Sequence, residues 1–131
     1  MATIQNAEPL LGLLHETVAS LVRRKGPDLT SRQLCVFLTC YLEDDAQTVR
    51  GLATALNISR PVISRALNRL GQLDLARRKP DPSDRRSVLV QRTQTGTAFL
   101  RELRAILAKA ASGQDAAPKS RSSSPAKAAN G

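Results

Sequence analysis

Hydrophobic residues recur every three to four positions in five stretches of this chain, which is the spacing of one face of an α-helix. In the second stretch, Leu34, Leu38 and Tyr41 share such a face, which we expect to be buried. Residues able to cap a helix precede four of the stretches, namely Thr30 or Ser31, Thr48, Ser59 and Thr93. The periodicity predicts helices over residues 8–24, 30–42, 48–56, 59–71 and 93–110.

The third and fourth predicted helices are joined only by Asn57 and Ile58, which form a tight turn. Pro61 falls in the first turn of the fourth helix, where its missing N–H costs nothing, and Gly71 is expected to end that helix. The buried face comprises Ile63, Ala66, Leu67 and Leu70. The opposite face carries Pro61, Arg65 and Asn68, flanked by Val62, Ser64 and Arg69. A short turn followed by a helix with an arginine on its outer face indicates a helix-turn-helix.

The periodicity then changes and predicts two short strands, over residues 75–79 and 87–91. Between them lies Pro80–Asp84, which is rich in turn-forming residues, and Arg85–Arg86 follows at the tip. A hairpin directly after a helix-turn-helix is a wing. The fold class expected is therefore mainly α with a small β-wing, a winged helix-turn-helix.

The distribution of charge along the chain indicates a candidate binding partner. The 131 residues carry a net charge of +9. Ten of the 20 basic residues and three of the 11 acidic ones lie between Arg50 and Arg92, so this segment alone carries +7. Such a basic segment favours nucleic acid. Only three aromatic residues are present, and single-strand binders need aromatic rings for stacking, so double-stranded DNA is the expected form.

Other classes of function are disfavoured. Cys35, Cys40 and His15 supply too few ligands for a zinc site, and the sequence contains no glycine-rich phosphate loop or catalytic triad. We therefore expect no enzyme activity, no cofactor and no metal. On one helix, two cysteines five positions apart are separated by about 8.6 Å, beyond the roughly 7 Å of a disulfide, so they cannot bridge each other without unwinding the helix. Both are interpreted as small core residues, with a redox-active role for either left open. No apolar run or signal peptide indicates a membrane or secretion, and a cytoplasmic protein is expected.

Four segments, in this order and spacing, resemble the MarR family of bacterial winged helix-turn-helix regulators: Thr48–Ala53, Asn57–Leu67, Asp81–Arg86 and Thr93–Gly96. The resemblance implies a recognition helix in the major groove and a wing arginine in the minor groove. The family's Asp-x-Arg motif corresponds to Asp84–Arg86, so Arg86 is the expected wing arginine, with Asp84 orienting it. The resemblance also implies a homodimer, formed by the N- and C-terminal helices, on a pseudo-palindromic site.

The chain departs from the family pattern in two places. Arg92 stands where the family has a leucine, and only about seventeen helical residues are predicted after the wing. The second departure shortens the expected dimer interface. No effector site is evident from the sequence, which leaves a small-molecule effector open.

We expect four segments: an N-terminal dimerisation helix (1–28), the DNA-binding domain (29–92), a C-terminal dimerisation helix (93–111) and a disordered basic tail (112–131). The expected DNA contacts are Thr48, Ser59, Arg60, Pro61, Val62, Ser64, Arg65, Asn68, Arg69, Arg77, Arg78, Lys79, Asp84, Arg85 and Arg86.

Three functions fit these features. The first is a sequence-specific transcriptional regulator, expected to be a repressor. The second is a nucleoid-associated protein that coats DNA with little sequence preference. The third is a winged helix that docks on a protein partner.

Overall fold

A computed structural model describes residues 7–116, with side chains up to residue 113. Its elements are α1 (Glu8–Arg23), α2 (Ser31–Leu42), α3 (Val49–Leu56), α4 (Arg60–Gln72), β1 (Ala76–Asp81), β2 (Asp84–Arg92) and α5 (Gln94–Ala116). The fold class expected from the sequence is confirmed. The chain divides into two compact units, one formed by Leu29–Arg101 and the other by the segments before and after it.

Side-chain capping hydrogen bonds mark where α2 and α3 begin. Thr30, rather than Ser31, caps α2: its hydroxyl accepts a hydrogen bond from the Gln33 N–H at 3.1 Å, and the Gln33 side chain accepts one from the Thr30 N–H at 3.0 Å. This reciprocal pair is a capping box. Thr48 caps α3 by accepting from the Gly51 N–H at 2.9 Å. Ser59 occupies the N-cap position of α4, but its side chain makes no capping hydrogen bond.

The turn of the helix-turn-helix depends on Asn57, which adopts the left-handed conformation with φ 55°. The Asn57 N–H donates to the Thr54 carbonyl, and the Ile58 N–H donates to the Ala53 carbonyl at 3.0 Å. These two bonds form a Schellman motif, which satisfies the last carbonyls of α3 and redirects the chain. Asparagine tolerates this conformation better than most residues, so the sequence ends α3 here.

The core of the 29–101 unit is built on the only three aromatic residues of the chain. The Phe37 ring stacks on Tyr41, with centroids 4.4 Å apart, and meets Phe99 edge-on at 5.1 Å. The buried face of α2 differs from the predicted one: Leu34 and Leu38 are only half-buried. The buried stripe is Val36, Phe37, Cys40 and Tyr41. The aromatic pair sets this face, because Phe37 and Tyr41 lie one turn apart and both pack into the core.

The Tyr41 hydroxyl joins three parts of this unit. It donates to the Leu75 carbonyl at 2.7 Å and accepts from the Thr93 N–H at 2.9 Å. Gly96 lies against this junction, and a Cβ there would overlap the Tyr41 hydroxyl and stand 2.5 Å from the Leu75 carbonyl oxygen. Residue 96 must therefore lack a side chain for α5 to begin where it does.

Arg92, the departure from the family pattern, holds the end of α2. Its guanidinium donates to the Cys40 carbonyl at 2.9 Å and to the Glu43 carbonyl at 2.6 Å, and lies 5.6 Å from the centre of the Tyr41 ring. The last carbonyls of a helix have no partner within the helix, so an arginine placed here satisfies them. Arg92 thus has a structural role in this chain.

The turn after α4 is centred on Asp74 rather than on Gly71. Helix α4 continues to Gln72, and Asp74 takes the left-handed conformation with φ 58°. The Asp74 carboxylate accepts from Thr95 at 2.8 Å and from Arg77 at 3.1 Å. These hydrogen bonds, that from Thr95 first, hold the pKa of the Asp74 carboxyl below its ordinary value. The helix overruns Gly71 because this downstream network, and not glycine, turns the chain.

The wing is a two-stranded antiparallel sheet in which Arg78 pairs with Val90. Both strands run further into the predicted loop than expected, since Asp81 pairs with Asp84 and only Pro82–Ser83 remain as the turn. The segment before α3 adds to the sheet, because the Val90 N–H donates to the Gln47 carbonyl at 2.8 Å.

The other unit contains α1 and most of α5. Helix α1 leaves five large apolar side chains exposed: Leu10, Leu11, Leu14, Val18 and Val22. Beyond the end of α1, Arg24 forms a two-pronged ion pair with Glu102 of α5, both contacts being 2.9 Å. Helix α5 runs to Ala116, past the expected start of the tail at residue 112, because its alanines favour continuation of a formed helix. The rest of the expected tail lies outside the described residues.

Candidate nucleic-acid interface

The outward face of α4 carries the residues that the helical wheel predicted. Arg60, Pro61, Arg65 and Asn68 are exposed, whereas Val62, Ser64 and Arg69 are half-buried. The opposite face of α4 packs into the core, where Ile63, Ala66, Leu67 and Leu70 are buried, so the polar face is directed to solvent. A helix anchored in this way presents its polar side chains on a rigid support.

The wing tip is shaped by two aspartates. The Asp81 carboxylate accepts from the Ser83 N–H at 2.9 Å and from the Ser83 hydroxyl at 2.8 Å. The Asp84 carboxylate accepts from the Arg86 N–H at 3.0 Å. Asp84 therefore orients the backbone of Arg86. It does not orient the Arg86 guanidinium, as a direct ion pair would. Among the described residues, that guanidinium has no hydrogen-bond partner, which leaves its donors available.

A cleft of about 460 Å³ lies between α4 and the wing. Four arginines line it: Arg50, Arg60, Arg78 and Arg86. Its other lining residues are Val49, Pro61, Ser64, Ser87 and Val88, so no acidic side chain belongs to the lining. Four uncompensated cations around one concavity create a positive potential that attracts an anion.

Arg50 is the one arginine of this cleft that the sequence prediction missed; Val49, Ser87 and Val88 of the lining were not predicted either. It is exposed in the first turn of α3, directly after the Thr48 cap. Its position near the start of the first helix of a helix-turn-helix was the available signal, since that helix crosses the DNA backbone in such folds.

A second cleft, of about 700 Å³, lies between the start of α2 and α4. Val62, Arg65 and Ala66 of α4 line it together with Ile58 and the segment Thr30–Gln33. The α2 residues were not predicted as site residues. Arg65 therefore borders a different concavity from Arg86, and α4 separates the two.

The remaining predicted contacts are distributed around these clefts. Arg69 donates to Gln72 at 3.3 Å, and Arg77 forms an ion pair with Asp74 at 3.1 Å. The Arg78 guanidinium donates to the Asn68 side-chain carbonyl. Ser59, Lys79 and Arg85 are exposed but line neither cleft, and the half-buried Thr48 bridges to Leu89 in the wing.

The two cysteines have different environments. Cys40 is buried, and burial raises the pKa of its thiol to about 11, against the opposing charge of Arg92. Cys35 is exposed, so its interpretation as a core residue was wrong. The reason is that the buried stripe of α2 runs through Val36 and Phe37, which leaves position 35 outside it.

Within residues 7–116, no group of three or more His, Cys, Asp or Glu side chains is arranged to hold a metal ion. None of the described helices is long and apolar enough to cross a membrane.

The helix-turn-helix, its exposed recognition face and the adjoining hairpin define a winged helix-turn-helix protein. The sequence profile of the MarR family matches residues 27–87. This match and the fold support a MarR-family winged helix-turn-helix protein, as the sequence motifs predicted.

Solved structures share this fold. MarR from E. coli, in its apo form, is 27% identical over 72% of this chain, with a TM-score of 0.58, and the match spans 65% of the E. coli chain. The transcriptional regulator Tm0710 from Thermotoga maritima is 20% identical, with a TM-score of 0.69 over 88% of this chain and 80% of that one. A cysteine-to-serine mutant of E. coli MarR, complexed with operator DNA, is 24% identical, with a TM-score of 0.59 over 78% of this chain and 67% of that one. A search of curated proteins found no match.

Proposed function

We propose that this protein is a sequence-specific, double-stranded DNA-binding transcriptional regulator that acts as a homodimer on a pseudo-palindromic site, as a repressor. The observation that carries the proposal is the four-arginine cleft, because it joins the start of α4 to the wing on one positive surface. A phosphate backbone is the anion that such an extended basic surface fits. The E. coli MarR mutant complexed with operator DNA, which shares the fold, supports the same partner.

In this proposal α4 is the recognition helix. Arg65 is exposed midway along its outward face and has no hydrogen-bond partner among the described residues, so its planar fork is free to bond guanine. Pro61, Val62, Ser64 and Asn68 would border the same groove. Arg60 and Ser59 lie at the start of α4, where N–H groups and the helix dipole favour a phosphate.

The wing supplies the second groove contact. Arg86 is proposed to enter the minor groove, because Asp84 fixes its backbone and leaves its guanidinium unpaired among the described residues. Arg77, Arg78, Lys79 and Arg85 add positive charge on the same hairpin. Neither the clefts nor the described side chains suggest catalysis, a cofactor or an effector, and none is proposed.

The exposed apolar side chains of α1 are the basis for proposing a homodimer. Leu11, Leu14 and Val22 are exposed by 56%, 57% and 64%. Exposing a stripe of large apolar side chains is unfavourable for an isolated chain, and an identical stripe on a second chain covers it. A two-fold dimer would place its two recognition helices about one DNA turn apart, roughly 34 Å, and so require a pseudo-palindromic site.

Selection of bound duplexes from a random pool, at a stated salt concentration, tests the proposal. We expect one enriched motif with two inverted half-sites. Arg65→Ala should lose enrichment at one position of each half-site, and Arg104→Ala, which removes an exposed arginine of α5, should keep the wild-type motif. Binding without an enriched motif would indicate the nucleoid-associated function, and no binding to any duplex would indicate a protein-docking winged helix.

A further inference from the structure

Two residues expected to contact DNA, Asn68 and Arg78, also contact each other. Asn68 lies on the outward face of α4, and Arg78 lies on β1 of the wing. The Arg78 guanidinium donates a hydrogen bond to the Asn68 side-chain carbonyl, and both side chains are exposed. This bond links the recognition helix directly to the wing.

The bond changes what Asn68 can do. An asparagine that identifies adenine uses its carbonyl and its amide together, as two parallel hydrogen bonds to one base edge. Here the carbonyl oxygen is turned toward the wing and engaged by Arg78. A side chain held in that orientation does not present both groups to a base.

The same bond changes what Arg78 can do. Its guanidinium has five N–H donors, of which Asn68 engages one, and it lines the cleft together with Arg60 and Arg86. A free arginine on an exposed strand must lose rotamer freedom to bind an anion, whereas one already held in place loses less.

We propose that Asn68 is a positioning residue, which fixes the Arg78 guanidinium in the cleft for a DNA phosphate and does not contact a base. The proposal rests on the DNA-binding function inferred above. It assigns Arg78 a direct phosphate contact and assigns Asn68 an effect on affinity that is independent of DNA sequence.

A double-mutant cycle measured by fluorescence anisotropy tests this proposal, with the selected duplex and a scrambled duplex, each at several salt concentrations. Arg78→Ala should weaken binding to both duplexes by the same factor and reduce the slope of log affinity against log salt by about 1, as loss of one phosphate contact does. Asn68→Ala should weaken both duplexes equally, by a smaller factor. The double variant should match Arg78→Ala to within about twofold, because the two residues act through one contact.

Controls separate this proposal from the function on which it rests. Gln94→Ala and Arg104→Ala remove an exposed amide and an exposed arginine elsewhere and should bind like wild type; thermal unfolding checks that every variant is folded. If Asn68→Ala weakens the selected duplex far more than the scrambled one, Asn68 contacts a base and the proposal is wrong. Losses that multiply in the double variant contradict it equally. Failure of the wild-type protein to bind either duplex would overturn the proposed function itself.

Discussion

The 29–101 unit and helix α1 place their apolar side chains in opposite environments. In the 29–101 unit, Phe37, Leu52 and Ile63 are fully buried, and α4 and the wing expose several arginines. Along α1, Leu14 and Val22 are more than half exposed. The first region has a core of its own and presents charge, whereas the second presents the apolar surface that a further chain would cover. This difference is the basis for proposing DNA contact by the first region and association through the second.

The largest expected effect comes from emptying the core of the 29–101 unit. Phe37→Ala removes a fully buried ring that contacts Tyr41 and Phe99, and should lower the free energy of unfolding by about 3–5 kcal/mol. Leu42→Ala, on the same helix but exposed, should change it by no more than about 0.5 kcal/mol. Urea unfolding measures both. Equal losses in the two variants would mean that this unit does not have the core described.

The next effect tests the close packing at the start of α5. Gly96→Ala places a methyl group against the Tyr41 hydroxyl and the Leu75 carbonyl, and should destabilise the fold by about 2–3 kcal/mol. Gly113→Ala is the matched control, because nothing lies within 4 Å of a Cβ there and alanine favours a helix. The control should leave stability unchanged or raise it slightly. A Gly96→Ala protein as stable as wild type in the same unfolding measurement would contradict the contact.

A third substitution addresses α1. Leu14→Lys places a charge on the exposed apolar stripe and should raise the dissociation constant of the proposed dimer by about tenfold or more, since each Leu buried at an interface contributes on the order of 1.5–3 kcal/mol. His15→Lys introduces the same charge at the neighbouring exposed position. Sedimentation velocity across a dilution series compares them. If both variants dissociate alike, or neither does, the apolar stripe is not the association surface.

The smallest effect is a pH dependence. Hydrogen bonds from Thr95 and Arg77 lower the pKa of Asp74, so its carboxylate stabilises the fold fully above the ordinary Asp pKa of 3.8. That contribution is lost as the pH falls through the lowered value in the folded state. Asp74→Asn, which keeps tolerance of the left-handed backbone, should flatten the fall in stability at acid pH, and Thr95→Ala should flatten it in part. An unchanged acid limb in Asp74→Asn would show that this carboxylate is not involved.

Much of this architecture was predictable because local signals determine it. The spacing of apolar residues gives the helices, the left-handed Asn57 ends α3, and the turn-forming residues Pro82–Ser83 close the wing. The misplaced end of α4 has the opposite cause. Gly71 is a local signal for a helix end, but the chain turns at Asp74 through bonds to Thr95, 21 residues away.

In the candidate site, too, the features set by one helix were predictable and those set by packing between elements were not. The wheel of α4 predicted that Arg65 would be exposed, since the exposure of a residue on an amphipathic helix follows from its own helix. It did not predict that Asn68 would bond to Arg78 or that Arg50 would join the cleft, because both depend on how the wing and α3 pack beside α4. Arg92 caps α2 by bonding Cys40 and Glu43, which precede it in the sequence by 52 and 49 positions. No local sequence pattern predicts contacts over such a separation.

A binding titration of wild-type protein and Arg65→Ala, on the selected duplex and on random duplex at one salt concentration, tests the central claim most directly. A good bidentate arginine–guanine pair contributes about 1–3 kcal/mol of discrimination, so the variant should lose roughly 5- to 150-fold in affinity for the selected duplex. On random duplex it should lose much less, as removal of one positive charge does. Equal losses on the two duplexes would contradict the account, because α4 would then supply charge to the DNA backbone without contacting its bases.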